Sequence, residues 1–211
     1  MDGQTHPELL AYCNCMERVK HHVRIIESAL SGAVVVSNHR DCSMLLAELI
    51  FLHFRKALEE IAFASLSANR EKYAAARAGF ATEWNARRML GFIEKVNPSF
   101  YPLPLQEPKE TAPGIKHFER MNEPFLTRDD FEKLYDSAGE VLHSPNPFSP
   151  KKDAINVHYT ADEWITRVGR LLSWHVMQIP DLQGLWLVCV PSDAPAQAVL
   201  TAAADPFIVE R

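Results

Sequence analysis

Residues 44–69, MLLAELIFLHFRKALEEIAFASLSAN, constrain what this chain can fold into more than any other stretch. Leu46, Ile50, Phe54, Ala57, Ile61 and Ala64 recur at three- and four-residue steps, which puts them on one face of an α-helix. Leu45, Leu49, Phe51, Leu52, Leu58, Ala62 and Phe63 cover most of the remaining circumference. A helix apolar nearly all round belongs inside a protein, so the pattern predicts a central buried helix on which the others pack. Its charged exceptions are informative. Glu48, Arg55 and Glu59 fall at i, i+7 and i+11, along one line of the helix, with Arg55 and Glu59 at ion-pair spacing. An unpaired buried charge is too costly to keep, so these residues either pair along a partly exposed edge or face a polar cleft.

The chain of 211 residues is long enough for a substantial core and fits one domain. Apolar residues make up 47% and charged ones 23%, the proportions of a globular protein. A net charge of -5 argues against a non-specific polyanion binder, which gains affinity from many lysine and arginine contacts to phosphate. Cys13, Cys15, Cys42 and Cys189 match neither a disulfide framework nor a zinc knuckle, and read as reduced thiols. With no basic-then-apolar leader and no run long enough to span a bilayer, the expected location is cytoplasmic, away from membranes.

In chain order, Thr5 and Glu8 make a capping box with Pro7 in the first turn, so a helix should run over 7–30 and stop at Gly32. Its middle carries Arg18, Lys20, His21, His22 and Arg24, a basic cluster that is either a solvated face or a phosphate contact. Residues 33–36 could be a short strand, leading into Ser37, Asn38 and Asp41 at the start of the central helix. A short alanine-rich helix is expected over 70–78, and another, capped by Thr82 and including Trp84, Met89, Leu90, Phe92 and Ile93, must end before Pro98. Residues 97–127 carry Pro98, Pro102, Pro104, Pro108, Pro113 and Pro124, interleaved with Phe100, Tyr101, Phe118 and Phe125, which should pin an ordered loop onto the helical body. Thr127 with Asp130, and Thr160 with Glu163, open two further helices. The first ends at His143 before the loop SPNPFSP, and the second is expected to run over 161–179, until Pro180. The tail, LWLVCV at 185–190 and QAVLTAA at 197–203, reads as a β-hairpin. The expected architecture is therefore mainly all-α: one domain over 1–211, a body of five or six helices over 5–180, and a small C-terminal β-hairpin over 184–204.

Phosphate-cradling glycine motifs and the commoner zinc- and serine-hydrolase motifs are absent. His21 and His22 are adjacent and diverge on a helix, so no metal and no cofactor are expected. The short pattern with chemical meaning is RLLSWH at 170–175, an Arg-x4-His placed on the last helix. Here the chain resembles the HEPN superfamily of helical proteins, whose RNase members carry Arg-x4-6-His and cleave RNA without metal in bacterial toxin–antitoxin and phage-defence systems. The resemblance implies that His175 acts in acid–base transfer at the ribose 2′-hydroxyl, that Arg170 neutralises the scissile phosphate, and that a homodimer completes the site. Five residues of helix turn a side chain by about 140°, so the pair shares a face only through a bend or a second subunit.

A looser likeness to HEPN and abortive-infection proteins lies in FRKALEEIAF at 54–63 and in the Leu-Tyr-x3-Gly-x-Val-Leu-His-x-Pro segment ending at Pro145. It implies that Arg55 and His143 lie near each other, giving a second candidate site of Glu48, Arg55, Glu59 and His143. His143 alone would cap a helix, where an imidazolium is favoured. Trp164, Trp174 and Trp186 are read as core, with base stacking the weaker option. Two functions follow as expectations: a metal-independent endoribonuclease acting on RNA, or a non-catalytic interaction or regulatory protein that binds a cognate protein or a small ligand through the polar cleft.

Overall fold

The computed structural model describes residues 7–33, 42–76, 85–144, 148, 155–178 and 185–201. Helix α1 spans Pro7–Leu30, as the pattern predicts. It ends where Gly32 takes φ 76° while its amide donates to the Ala29 carbonyl and that of Ala33 to the Ser28 carbonyl. This paired closure needs a left-handed residue, and glycine adopts that conformation without a Cβ clash. The capping residue Thr5, the strand expected over 33–36 beyond Ala33, and the helix start at Ser37, Asn38 and Asp41 lie outside the described residues.

Helix α2, Cys42–Ala68, lies against α1 along its length and also meets α3, α4 and α5. Its C-terminal half is enclosed: Phe54, Ala57, Leu58, Ile61, Ala62 and Ala64 are all at most 1% exposed. Alanines at these positions let neighbouring helices approach closely. The first turns are open instead, with Met44 61%, Leu45 51% and Leu52 38% exposed. All-round apolarity therefore does not become all-round enclosure, because single exposed leucines cost a folded surface little.

Asn69 separates α2 from α3, Arg70–Ala76. It donates to the Ser65 carbonyl at 2.8 Å, and its Oδ1 accepts from Asn97 Nδ2 at 2.7 Å. The same amide of Asn97 reaches the Gln178 carbonyl at 3.1 Å, so two buried asparagines tie the α2–α3 joint to the end of α4 and to the sheet. Helix α4, Ala86–Val96, is capped by Asn85, whose side chain accepts from the Arg88 amide, and it closes at Asn97 ahead of Pro98. Thr82 and Trp84 lie outside the described residues.

The proline-rich stretch is pinned as its aromatics suggest. Phe100 is buried, and the Tyr101 hydroxyl donates to the Leu126 carbonyl at 3.1 Å. It is not only loop, however, since it contains β1 (Leu103–Pro104) and a small hairpin of β2 (Lys109–Ala112) and β3 (Ile115–His117) turning through Gly114 at φ 78°. Helix α5, Arg128–Leu142, starts at Thr127, whose side chain accepts from the Asp130 amide, and ends at His143. Helix α6, Ala161–Leu172, opens with the full Thr160–Glu163 capping box.

The expectation for the last helix needs correction. It stops at Leu172 and Ser173, and Trp174–Gln178 forms strand β4. A four-stranded antiparallel sheet results, in the order β1-β4-β5-β6, with β5 at Leu185–Cys189 and β6 at Gln197–Thr201. The C-terminal hairpin is thus present as β5–β6, and β4 pairs along its other edge with His175 opposite Val188 and Met177 opposite Trp186. Trp-His-Val-Met suits a pleated, half-buried surface at least as well as a helix, and an adjacent apolar strand decides between them. Among the described residues the chain has six helices, and it is mostly helical with a small antiparallel sheet near the C-terminus. No described helix is long and apolar enough to cross a membrane.

Candidate functional site

The strand that replaces the end of α6 takes the formal motif apart. Arg170 lies near the end of α6, pairs with Glu123 and donates to the Pro124 carbonyl at 3.1 Å, holding the segment before α5. His175 sits on β4, completely buried. Its Nδ1 meets the Leu172 carbonyl at 3.0 Å, and a carbonyl only accepts, so the proton is on Nδ1. Nε2 is then the acceptor for the Tyr12 hydroxyl of α1 at 2.7 Å. Burial holds this imidazole neutral, with its pKa lowered to about 4, and pushes the Tyr12 phenol well up. Both ring nitrogens are committed inside the core, where His175 and Tyr12 join the sheet to α1. Within one subunit the two motif residues do not converge.

Of the second candidate group, Arg55 and Glu59 meet, and Tyr135 joins them. Arg55 Nε donates to Glu59 Oε1 at 3.2 Å, one turn along α2. Its Nη2 donates to the Tyr135 hydroxyl of α5 at 2.9 Å, and the guanidinium carbon lies 4.4 Å from the centre of the Tyr135 ring. Where α5 passes over the guanidinium it carries Gly139, whose absent Cβ would stand 3.6 Å from Nη1. No described residue bonds Nη1. Desolvation raises the Glu59 carboxyl above its usual range, opposed by the Arg55 charge, and raises the Tyr135 phenol as well. His143 lies one helical turn beyond Gly139, at the C-cap of α5, with an exposed side chain. Glu48, on the same line of α2, is half-buried and makes no ion pair among the described residues. Glu59, Arg55 and Tyr135 therefore form one seam between α2 and α5, and His143 follows two turns beyond Tyr135 along α5.

Sequence reasoning missed two features because both join distant segments. The basic cluster of α1 is partly a solvated face, with Arg18, His21 and Arg24 exposed, and it also makes a clamp. Lys20 donates to the carbonyls of Pro191 at 3.1 Å and Ala194 at 2.7 Å, Arg24 to that of Ser192, and Glu17 accepts from the Ala196 amide, so the β5–β6 connection is clamped onto α1. Beside this clamp a cleft of about 600 Å³ opens between α1, α6 and the end of β5, floored by Val19, Val23, Val168 and Leu172. Nearby, Arg18 pairs with Glu60 at 2.7 Å, and His22, its ring centre 5.7 Å from that of His21, brings its Nδ1 within 3.0 Å of His53 Nδ1 on α2. Burial and neighbouring positive charge lower both imidazoles, keeping them neutral at physiological pH. Cys13, Cys15 and Cys189 are free thiols, as expected, while the side chain of Cys42 lies outside the described ones.

Fold and side-chain geometry together define a mostly helical domain with a small antiparallel sheet and a polar seam between two of its longer helices. No protein-family model, curated protein or solved structure matches the chain.

Proposed function

We propose that the chain is a HEPN-like interaction or regulatory protein that recognises a phosphate-bearing ligand, RNA in the first place, at the α2–α5 seam. The observation that carries this reading is Arg55. The two segments on which the looser resemblance rests, 54–63 and 134–145, meet at this residue through Tyr135, and Glu59 and Tyr135 hold it from two helices. A guanidinium fixed through Nε and Nη2 presents its remaining nitrogen in a set direction, without the entropy loss that a free arginine suffers on binding. Gly139 sets no side chain against that nitrogen, from which a Cβ would stand 3.6 Å. The exposed His143 follows one turn beyond Gly139 along α5.

A catalytic version of the reading uses the same pair. An acid–base group must reach its substrate, as the exposed His143 at the end of α5 can and the enclosed His175 cannot. Binding of a short single-stranded RNA to the full chain is the direct test, with Arg55→Gln, His143→Ala and Arg170→Ala alongside. Binding weakened by the first two substitutions and indifferent to the third supports the seam; equal binding by all forms removes it. Chelator-resistant cleavage of total RNA that is lost with His143→Ala would add catalysis. Loss with His175→Ala and not His143→Ala would return the activity to the formal motif.

A further inference from the structure

Away from this seam, on the side of α2 that faces α1, His22 and His53 bring two imidazole nitrogens to a single point. Residues 53 and 55 project about 200° apart around the helix, so this pair is separate from the Arg55 group. The Nδ1 atoms are 3.0 Å apart and the ring centres 5.1 Å apart. A zinc-type ion bonds imidazole nitrogen at about 2.0–2.1 Å, so two such nitrogens on one ion are separated by about 3.3 Å at the tetrahedral angle and about 2.9 Å at a right angle. The observed spacing lies between these limits. We propose that His22 and His53 form a binding site for a borderline divalent ion such as Zn2+ or Cu2+, held by the two Nδ1 atoms, completed by water, and cross-linking α1 to α2.

The ligand set selects the ion. Neutral imidazole suits zinc, copper and nickel, while magnesium and calcium require oxygen donors. Both rings are half-buried, so each is held by its helix while one side of the site stays open to water. Without an ion, the pair shares one proton in an N–H···N bond. On ligation the donating ring moves its proton from Nδ1 to Nε2 through solvent, both Nδ1 lone pairs go to the ion, and no net proton is released from two neutral rings. Of the neighbouring charges, His21 and the exposed Lys56 oppose a cation, and Glu60, paired with Arg18 through Oε1 and with Oε2 buried without a hydrogen-bond partner, favours one. Among the described residues no group of three or more histidine, cysteine or carboxylate side chains could hold a metal, so this site has two protein ligands and exchanges its ion.

The test is calorimetric titration of Zn2+ into chelator-stripped full chain, with Cu2+ followed in parallel by electron paramagnetic resonance. One ion per chain should bind, with a two-nitrogen signature for copper. Loss of even a supporting group around a metal costs on the order of tenfold in affinity, so His22→Gln or His53→Gln should each cost at least that, while His21→Gln and His158→Gln should not. The melting temperature should rise with Zn2+ in the wild type, His21→Gln and His158→Gln and not in His22→Gln or His53→Gln, and the metal-free melts show whether each variant is folded. Absence of binding to the wild type, binding that survives both ligand substitutions, or equal loss with His21→Gln would each overturn the site.

Discussion

Replacing His175 by glutamine should flatten the acid side of the protein's stability curve by an amount that follows from its burial. In the native state the imidazole is neutral, with Nδ1 donating to the Leu172 carbonyl and Nε2 accepting from Tyr12, and its pKa is lowered from 6.5 to about 4 by burial. A base whose folded pKa is depressed is protonated first in the unfolded chain. Its contribution is therefore fully present above the unfolded value and is lost as pH falls from 6.5 toward about 4, below which the loss levels off. With those two values, linkage gives a loss of about 2 kcal/mol at about pH 5 relative to neutral pH, and about 3 kcal/mol once both states are protonated. For a chain of this size 2 kcal/mol lowers the melting temperature by about 4–8 °C. Urea unfolding of wild type and His175→Gln, measured at several pH values between neutral and the foot of this window, is the assay. The mutant will be less stable overall, but contributions from every other group largely cancel in the difference between the two curves. That difference should narrow as pH falls. Parallel curves, or a His175 ring that titrates near 6.5 by NMR, would refute the reasoning.

Three further outcomes follow. Tyr12→Phe leaves Nε2 of a buried imidazole without its donor and should cost about 1–3 kcal/mol in denaturant unfolding, far more than the loss of one oxygen from a surface. Asp130, buried on α5, pairs with Arg167 at 2.9 Å and Lys133 at 3.3 Å; Asp130→Ala strands the mostly buried Arg167 and should cost about 3 kcal/mol, whereas Asp130→Asn should cost less. Gly139→Ala meets only the Arg55 guanidinium, at ordinary contact distance, so calorimetric melting should show α5 stabilised by about 0.5–1 kcal/mol while ligand binding at the seam falls.

Features carried by neighbouring residues are legible in the sequence itself. The α1 helix with its glycine stop, the Thr127 and Thr160 caps and the Arg55–Glu59 pair each depend on groups within about four residues, where local geometry alone determines what can bond. The C-terminal hairpin was visible for the same reason, as two short apolar runs close in sequence. The looser likeness drew attention to Arg55 and His143, but nothing in the sequence indicated that Tyr135 would hold the arginine.

What tertiary structure decided is everything that depends on a distant partner. WHVMQ at 174–178 is compatible with a helix until the edge of β5 supplies hydrogen bonds and a face for His175 and Met177, and that pairing ends α6 at Leu172. The same event turns His175 from a motif residue into a core acceptor for Tyr12, which lies 163 positions earlier in the chain. His22 hydrogen-bonds His53, 31 positions away, and Lys20 finds the carbonyls of the β5–β6 connection, because α1 packs along α2 and beside the sheet. Backbone pattern is set by local sterics and periodicity, which sequence displays directly. Side-chain partnership is set by which apolar faces are buried against each other, and only the packed molecule determines that.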